Sequence, residues 1–143
     1  MIPAWLTPAA TGLILLIGTA YDLRWRRVPA WLTLGGIVSG FAAAGLAGGA
    51  GLFGSLAGAA VGGLLFAPLV FLGGMGAGDA LLLAAVGAWT GAMFVLQVTS
   101  WGALFGAVAA VVLWRLGRRE FPYVPAISAG AIAAVVAGPS LLR

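Results

Sequence analysis

The sequence predicts an all-α, polytopic membrane protein: one bundle of six transmembrane helices with its N-terminus outside. Three observations carry that expectation. Of 143 residues, 63% are hydrophobic and 7% charged, with a mean hydropathy of +1.16, more apolar surface than a soluble domain of this size buries. The apolar residues fall into six runs divided by short breaks rich in Gly, Pro or Arg. Threaded from an outside N-terminus, the inner loops 21–30, 73–78 and 115–123 hold every arginine except Arg143, so parity and the positive-inside rule agree. No polar stretch is long enough for a second domain, and residues 1–143 read as a single membrane-embedded unit.

Segment one, Pro8–Ala20, follows Trp5 and precedes Arg24, Arg26 and Arg27, the polarity of a retained span rather than a cleaved leader. Pro29 suits the first turn of the next helix. Pro-Ala-Trp-Leu-Thr occurs at 3–7 and again at 29–33, two helix entries built alike. Segment two, Trp31–Leu46, leads into small residues four apart: Gly36, Gly40, Ala44 and Gly48. Segment three, Leu52–Leu72, does the same with Gly54, Gly58 and Gly62, and Pro68 is placed to kink it. Such stripes let helix backbones approach closely in lipid.

Segment four, Asp79–Trp89, rises only ~16–22 Å, against a hydrocarbon core of ~30 Å. Its start is therefore expected inside the apolar zone, beside a cavity walled by the glycine run 73–78. Segment five, Met93–Trp114, carries Gly102, Gly106 and Ala110, with Gln97, Thr99 and Ser100 as expected interhelical hydrogen-bonding groups. Segment six, Val124–Leu142, is entered through Pro122 and Pro125 and carries Gly130, Ala134 and Gly138.

The residues that are missing narrow the chemistry. Without Cys there is no disulfide, thiolate nucleophile or Cys-ligated metal. Without His there is no Ser–His pair and no HExxH zinc site, and without Lys no P-loop and no Schiff base. Among hydrolytic mechanisms for a membrane protease, the aspartyl one is left, needing neither metal nor cofactor. The net charge of +4 comes from arginines that face anionic lipid headgroups, and no basic face remains for nucleic acid.

Only Asp22, Asp79 and Glu120 are acidic. A carboxylate within a span costs about 2.5–3.5 kcal/mol on insertion scales, so an acid-poor chain that places two at the ends of apolar segments calls for a reason. The threading sets Asp22 and Asp79 on the same side at similar depth. Two carboxylates brought together hold one shared proton: the ionised member takes a proton from water while the protonated one hydrogen-bonds a peptide carbonyl. Gly76 and Gly78 bare the main chain beside Asp79 and allow torsions closed to other residues, so that a substrate strand can approach. Structural roles compete with this reading. Asp79 is also a good helix N-cap, and Asp22 can pair with Arg24, Arg26 or Arg27. Glu120 reads as a solvated partner of Arg118 and Arg119.

Two motifs carry a family resemblance. Asp22-Leu23-Arg24 followed by Arg27-Val28-Pro29 resembles the first-aspartate motif of the prepilin peptidases, and Gly76-Ala77-Gly78-Asp79, preceded by Gly73-Gly74-Met75, is similar to their GxGD motif. Residues 82–89 resemble the continuation of that motif, and Pro122-Tyr123-Val124-Pro125-Ala126 a loop before the last helix of the family. The resemblance implies a six-helix aspartyl protease of the cytoplasmic membrane. Its catalytic residues are Asp22 and Asp79, and Gly76, Gly78, Arg24, Arg27 and Pro29 meet the substrate. Its partners are membrane lipids and prepilin-like precursors whose basic leader it removes at the cytoplasmic face. It uses no cofactor or metal.

Larger members add a cysteine-bearing methylating domain. That region is missing from this sequence, which implies peptidase activity alone and resembles the short forms serving tight-adherence (Flp) pili or archaeal-type filaments. Two positions depart from the family pattern: Ala30 stands where Asn is usual after Pro, and Leu81 where Lys is frequent. Loss of a cation near Asp79 would alter substrate choice or weaken activity. The competing readings are a non-catalytic membrane scaffold or ion-conducting subunit, and a broader intramembrane aspartyl protease resembling presenilin.

Overall fold

The computed structural model describes Pro3 and residues 5–46, 48–117 and 123–137, and its elements are six α-helices. They are α1 (Leu6–Trp25), α2 (Ala30–Leu46), α3 (Gly49–Phe71), α4 (Ala77–Thr90), α5 (Ala92–Arg115) and α6 (Tyr123–Ala137), with no strand among the described residues. Three helices, Leu6–Trp25, Gly51–Phe71 and Ala92–Arg115, are long and apolar enough to cross a membrane. The other three are apolar but shorter. The loop residues Arg118, Arg119, Glu120 and Pro122, and the end of segment six from Gly138, lie outside the described residues.

Helix ends differ from the sequence expectation where local chemistry allows another turn. No Pro or Gly follows Ala20 until Pro29, so α1 continues through Asp22 to Trp25. It stops where Arg26 turns left-handed (φ 54°) and its N–H bonds the Asp22 carbonyl at 2.9 Å. Residues 21–25 are therefore helix, not loop. Helix α3 runs through Pro68 to Phe71. Gly73, at φ 72°, then reverses the chain, with Gly73 N–H on the Val70 carbonyl (3.0 Å) and Gly74 N–H on the Leu69 carbonyl (2.8 Å). This paired C-terminal motif needs a residue that tolerates positive φ, which glycine supplies.

Interhelical contacts set the directions. Gly58 and Gly62 of α3 lie against the backbone of Gly87 and Leu83 of α4, in descending order, so the two run antiparallel. Gly36 and Gly40 of α2 lie against Ala85 and Ala88, in ascending order, so α2 runs parallel to α4. Gly18 of α1 packs on Leu82, and Gly130 of α6 on Gly102 and Val98 of α5. Successive helices thus alternate up and down. Helix α4 is the core: it touches α1, α2, α3 and α5, and Leu82, Leu83, Ala85 and Val86 have no exposed surface. The outer faces are apolar too, with Val38, Phe53, Leu64 and Val135 exposed, as a lipid-facing surface requires.

The hydroxyls of α5 correct one expectation. Thr99 Oγ1 donates to the Val95 carbonyl (2.7 Å) and Ser100 Oγ to the Leu96 carbonyl (2.8 Å), both within their own helix. A Thr or Ser side chain reaches the carbonyl one turn back more easily than a neighbouring helix. Interhelical polar contacts lie elsewhere, among them Ser55 Oγ to the Ala88 carbonyl (2.5 Å), Trp89 Nε1 to the Gly36 carbonyl (3.1 Å) and Thr19 Oγ1 with Ser128 Oγ (2.7 Å).

Candidate active site

The C-terminal end of α1 and the N-terminal ends of α4 and α6 meet at one end of the bundle. Asp22 lies in the last turn of α1 and is 7% exposed. Its Oδ2 accepts a hydrogen bond from the Val124 backbone N–H at 3.3 Å. That N–H belongs to the first turn of α6, which has no intrahelical acceptor of its own. Arg26 lies close enough to act on the Asp22 charge.

Asp79 is 9% exposed and occupies the third position of α4. The helix is capped by Gly76, so Asp79 is not the N-cap that the sequence also allowed. Its carboxylate turns back over Gly76, facing that residue's backbone N–H. It also lies within electrostatic reach of Asp22. The two acids, far apart in the chain, are thus both buried at the same end of the molecule, each within reach of the other's field.

The glycine run divides into separate structural tasks. Gly73 ends α3, as above. The Gly74 carbonyl accepts a hydrogen bond from Tyr123 Oη at 2.6 Å, which ties the run to the start of α6. Gly76 has φ −71° and ψ 140°, open to any residue, and Gly78 is helical. The expectation that both adopt torsions reserved for glycine is therefore corrected. Gly78 matters for space instead: a Cβ there would lie 3.2 Å from both the Cβ and the carbonyl oxygen of Val28. It faces the chain's own α1–α2 connection, while a Cβ on Gly76 would meet only Asp79.

That connection carries the other expected contact residues. Arg24 lies over the Trp25 ring, 5.1 Å from its centroid, and Trp25 packs on Tyr21, which also meets Trp31 edge-on at 6.1 Å. Arg24 and Arg27 are exposed, and Pro29 is half-buried at the entry to α2. Ala30 is exposed at the first position of α2. Leu81 is 38% exposed, two residues beyond buried Asp79. A two-residue step turns a helix by about 200°, so position 81 looks away from the Asp79 carboxylate.

Tyr123 and Val124 are the residues that sequence reasoning missed as parts of the site. The stretch 122–126 stood out only as a loop. Its role depends on a contact across 102 residues, which no local pattern announces. Among the described residues no three His, Cys, Asp or Glu are gathered to hold a metal ion. The chemistry on offer is that of two buried carboxyls within electrostatic reach of each other, and of backbone N–H groups.

The sequence profile of the type IV leader peptidase family matches residues 9–111, a stretch that contains both aspartates. The prepilin leader peptidase/N-methyltransferase of Bacillus subtilis (strain 168) is 41% identical over 98 residues, covering 63% of this chain and 39% of that protein. The chain therefore spans well under half the length of that relative. No solved structure gives a significant match.

Proposed function

The chain belongs to the type IV leader peptidase family, and we propose on that footing that it is an aspartyl endopeptidase that removes the leader from prepilin-like precursors. The observation that carries the proposal is that Asp22 and Asp79 are both buried at one end of the bundle, within electrostatic reach of each other. In this reading the pair shares one proton. The ionised carboxyl draws a proton from water as it attacks the scissile carbonyl, and the other donates to the developing oxyanion. The tetrahedral intermediate then collapses as the leaving amine takes up a proton, which returns the pair to its starting state. The acids titrate as a unit, so base and acid are roles of the pair rather than of one residue.

The bound precursor reaches the pair past Arg24, Arg27 and Pro29, with Gly76 and Gly78 leaving the first turn of α4 slender. The site faces the cytoplasm, the N-terminus lies outside, and all six helices cross the membrane. The substrates are small pilins of the tight-adherence type. Asp22→Asn and Asp79→Asn each keep the side-chain shape but end the proton exchange. Each is expected to lower leader cleavage in proteoliposomes at least a hundredfold, on the scale of lost acid–base catalysis. Cleavage that survives both substitutions, in protein that remains folded, overturns the proposal and leaves a non-catalytic bundle.

A further inference from the structure

The connection from α3 to α4 is anchored in the core by one side chain. It runs from Leu72 to Gly76, and three of its five residues are glycines. Leu72 turns outward, 83% exposed, as does Phe71 before it. Met75 turns inward. It is 6% exposed and joins the buried cluster that includes Leu32 of α2 and Leu82 and Leu83 of α4. Hydrophobicity alone does not decide this, since Leu72 and Phe71 are at least as apolar and stay outside. Val28, which faces Gly78, and Tyr123, which holds the Gly74 carbonyl, pack against the same cluster.

Met75 stands one peptide unit from the group that the Asp79 carboxylate faces. Gly76 caps α4, and Asp79, at the third position, turns its carboxylate back over Gly76 toward that residue's N–H. This is the reach-back half of a capping box. The Gly76 N–H belongs to the peptide plane that begins at the Met75 carbonyl, and such a plane moves as one rigid piece. On one side of it, the N–H groups of Gly73 and Gly74 bond α3, and Tyr123 Oη bonds the Gly74 carbonyl. On the other, Asp79 N–H bonds the Gly76 carbonyl at 3.1 Å. Glycines on both sides leave the plane free to rotate unless a side chain fixes it. Met75 supplies the connection's buried side chain, and its unbranched thioether suits a core gap entered from a loop.

We propose that Met75 is a positioning residue for the acid pair: sunk in the bundle core, its side chain pins the Met75–Gly76 peptide and so holds the donor that orients the Asp79 carboxylate. The inference rests on the endopeptidase reading and adds to it a residue that acts through Gly76. Truncation at position 75 leaves a cavity and frees the peptide plane between its glycines. Leucine, nearly equal in volume, fills the same space.

The test compares wild type, Met75→Ala, Met75→Leu and Val95→Ala in proteoliposomes. The probe is a synthetic precursor with a basic leader followed by an apolar helix. Val95 is fully buried near the start of α5, at the other end of the bundle, so its truncation disturbs the core and leaves the connection alone. Met75→Ala is expected to lower kcat about tenfold with KM within about twofold, as a misplaced catalytic group does. Met75→Leu should keep both constants within about twofold of wild type. Val95→Ala should lower the melting temperature in detergent without lowering kcat. Amide exchange, read by mass spectrometry with no substrate present, should be roughly tenfold faster over residues 75–80 in Met75→Ala and unchanged there in the other two variants. Should Met75→Ala not fold, the smaller truncation Met75→Val carries the same comparison.

An unchanged kcat in Met75→Ala, an equal fall in Val95→Ala, or a leucine variant no better than the alanine one each overturns the proposal. So does unaltered exchange over residues 75–80 in Met75→Ala. Exchange does not depend on cleavage, which keeps the two readings apart. Wild-type protein that cuts no precursor, while Met75→Ala loosens the start of α4, sinks the peptidase reading alone. Wild type and Met75→Ala that cut equally well sink the role of Met75 alone.

Discussion

A single hydroxyl, Tyr123 Oη, holds the Gly74 carbonyl at 2.6 Å, while its neighbour Val124 offers its N–H to Asp22. The first two residues of α6 therefore touch both the run that leads into Asp79 and the other acid. Tyr123→Phe removes one of those ties and keeps the ring. It is expected to cost about 1 kcal/mol of stability, the usual worth of one hydrogen bond, read as a lower melting temperature in detergent. Leader cleavage is expected to lose several-fold in kcat with KM nearly unchanged, because the acids are held less well while the substrate surface is intact. A fall in KM-linked binding with kcat preserved would contradict the positioning role. At this scale the sequence was legible only in part. Asp22 and Asp79 stood out because acids are so scarce and costly in an apolar chain. Tyr123 and Val124 did not, since a backbone N–H looks the same in every sequence. The glycines beside Asp79 were visible, but their reason was not: Gly78 makes room for Val28, a neighbour supplied by folding.

The helices themselves were readable from hydropathy, and their rotation was not. In a soluble helix the polar face marks the outside. Here lipid and protein interior are equally apolar, so Leu64 facing out and Leu83 facing in carry the same signature. Small-residue spacing is the remaining signal, and it overstates. Within the stripe of α3, Gly58 lies against the Gly87 carbonyl of α4, whereas a Cβ at Gly54 meets nothing within 4 Å. The two glycines should therefore respond oppositely to one methyl group. Gly54→Ala gains about 0.5–1 kcal/mol from helix propensity. Gly58→Ala gains the same but forces α3 from α4 at a cost of about 1–3 kcal/mol or more, so the balance is loss. Thermal unfolding of the two variants in detergent should move the melting temperature up for the first and down for the second. Equal shifts would mean that α3 and α4 do not pack through this stripe. Because α4 carries Asp79, Gly58→Ala should also depress cleavage, although it lies far along the helix from the acids.

At the scale of the whole molecule, charge and direction point the same way. The described arginines, Arg24, Arg26, Arg27 and Arg115, stand at the ends of α1 and α5, and the up-and-down succession sets those ends beside the two acids. The opposite end, where α2 meets α3 and α4 meets α5, has no described charge. If the positive-inside rule governs insertion, the acid-bearing end lies in the cytoplasm. Helix α4 is the difficult member, since its ~21 Å falls short of a ~30 Å core. Its four packing partners shield it from lipid, and its N-terminal turn lies among protein groups, the condition under which a short span and irregular backbone are tolerated at depth. The expectation is that single cysteines replacing Trp5, Leu46 and Met93 react with a membrane-impermeant maleimide on intact cells. Those replacing Arg27, Leu72 and Leu116 should react only after the membrane is opened. All six positions are exposed at helix ends, so a missing reaction reports sidedness rather than burial. The inverse pattern would turn the acids outward and remove the cytoplasmic site. Reaction of positions 72 and 93 from the same side would mean that α4 does not cross, and the pairing of Asp79 with Asp22 would then need a re-entrant path instead of a span.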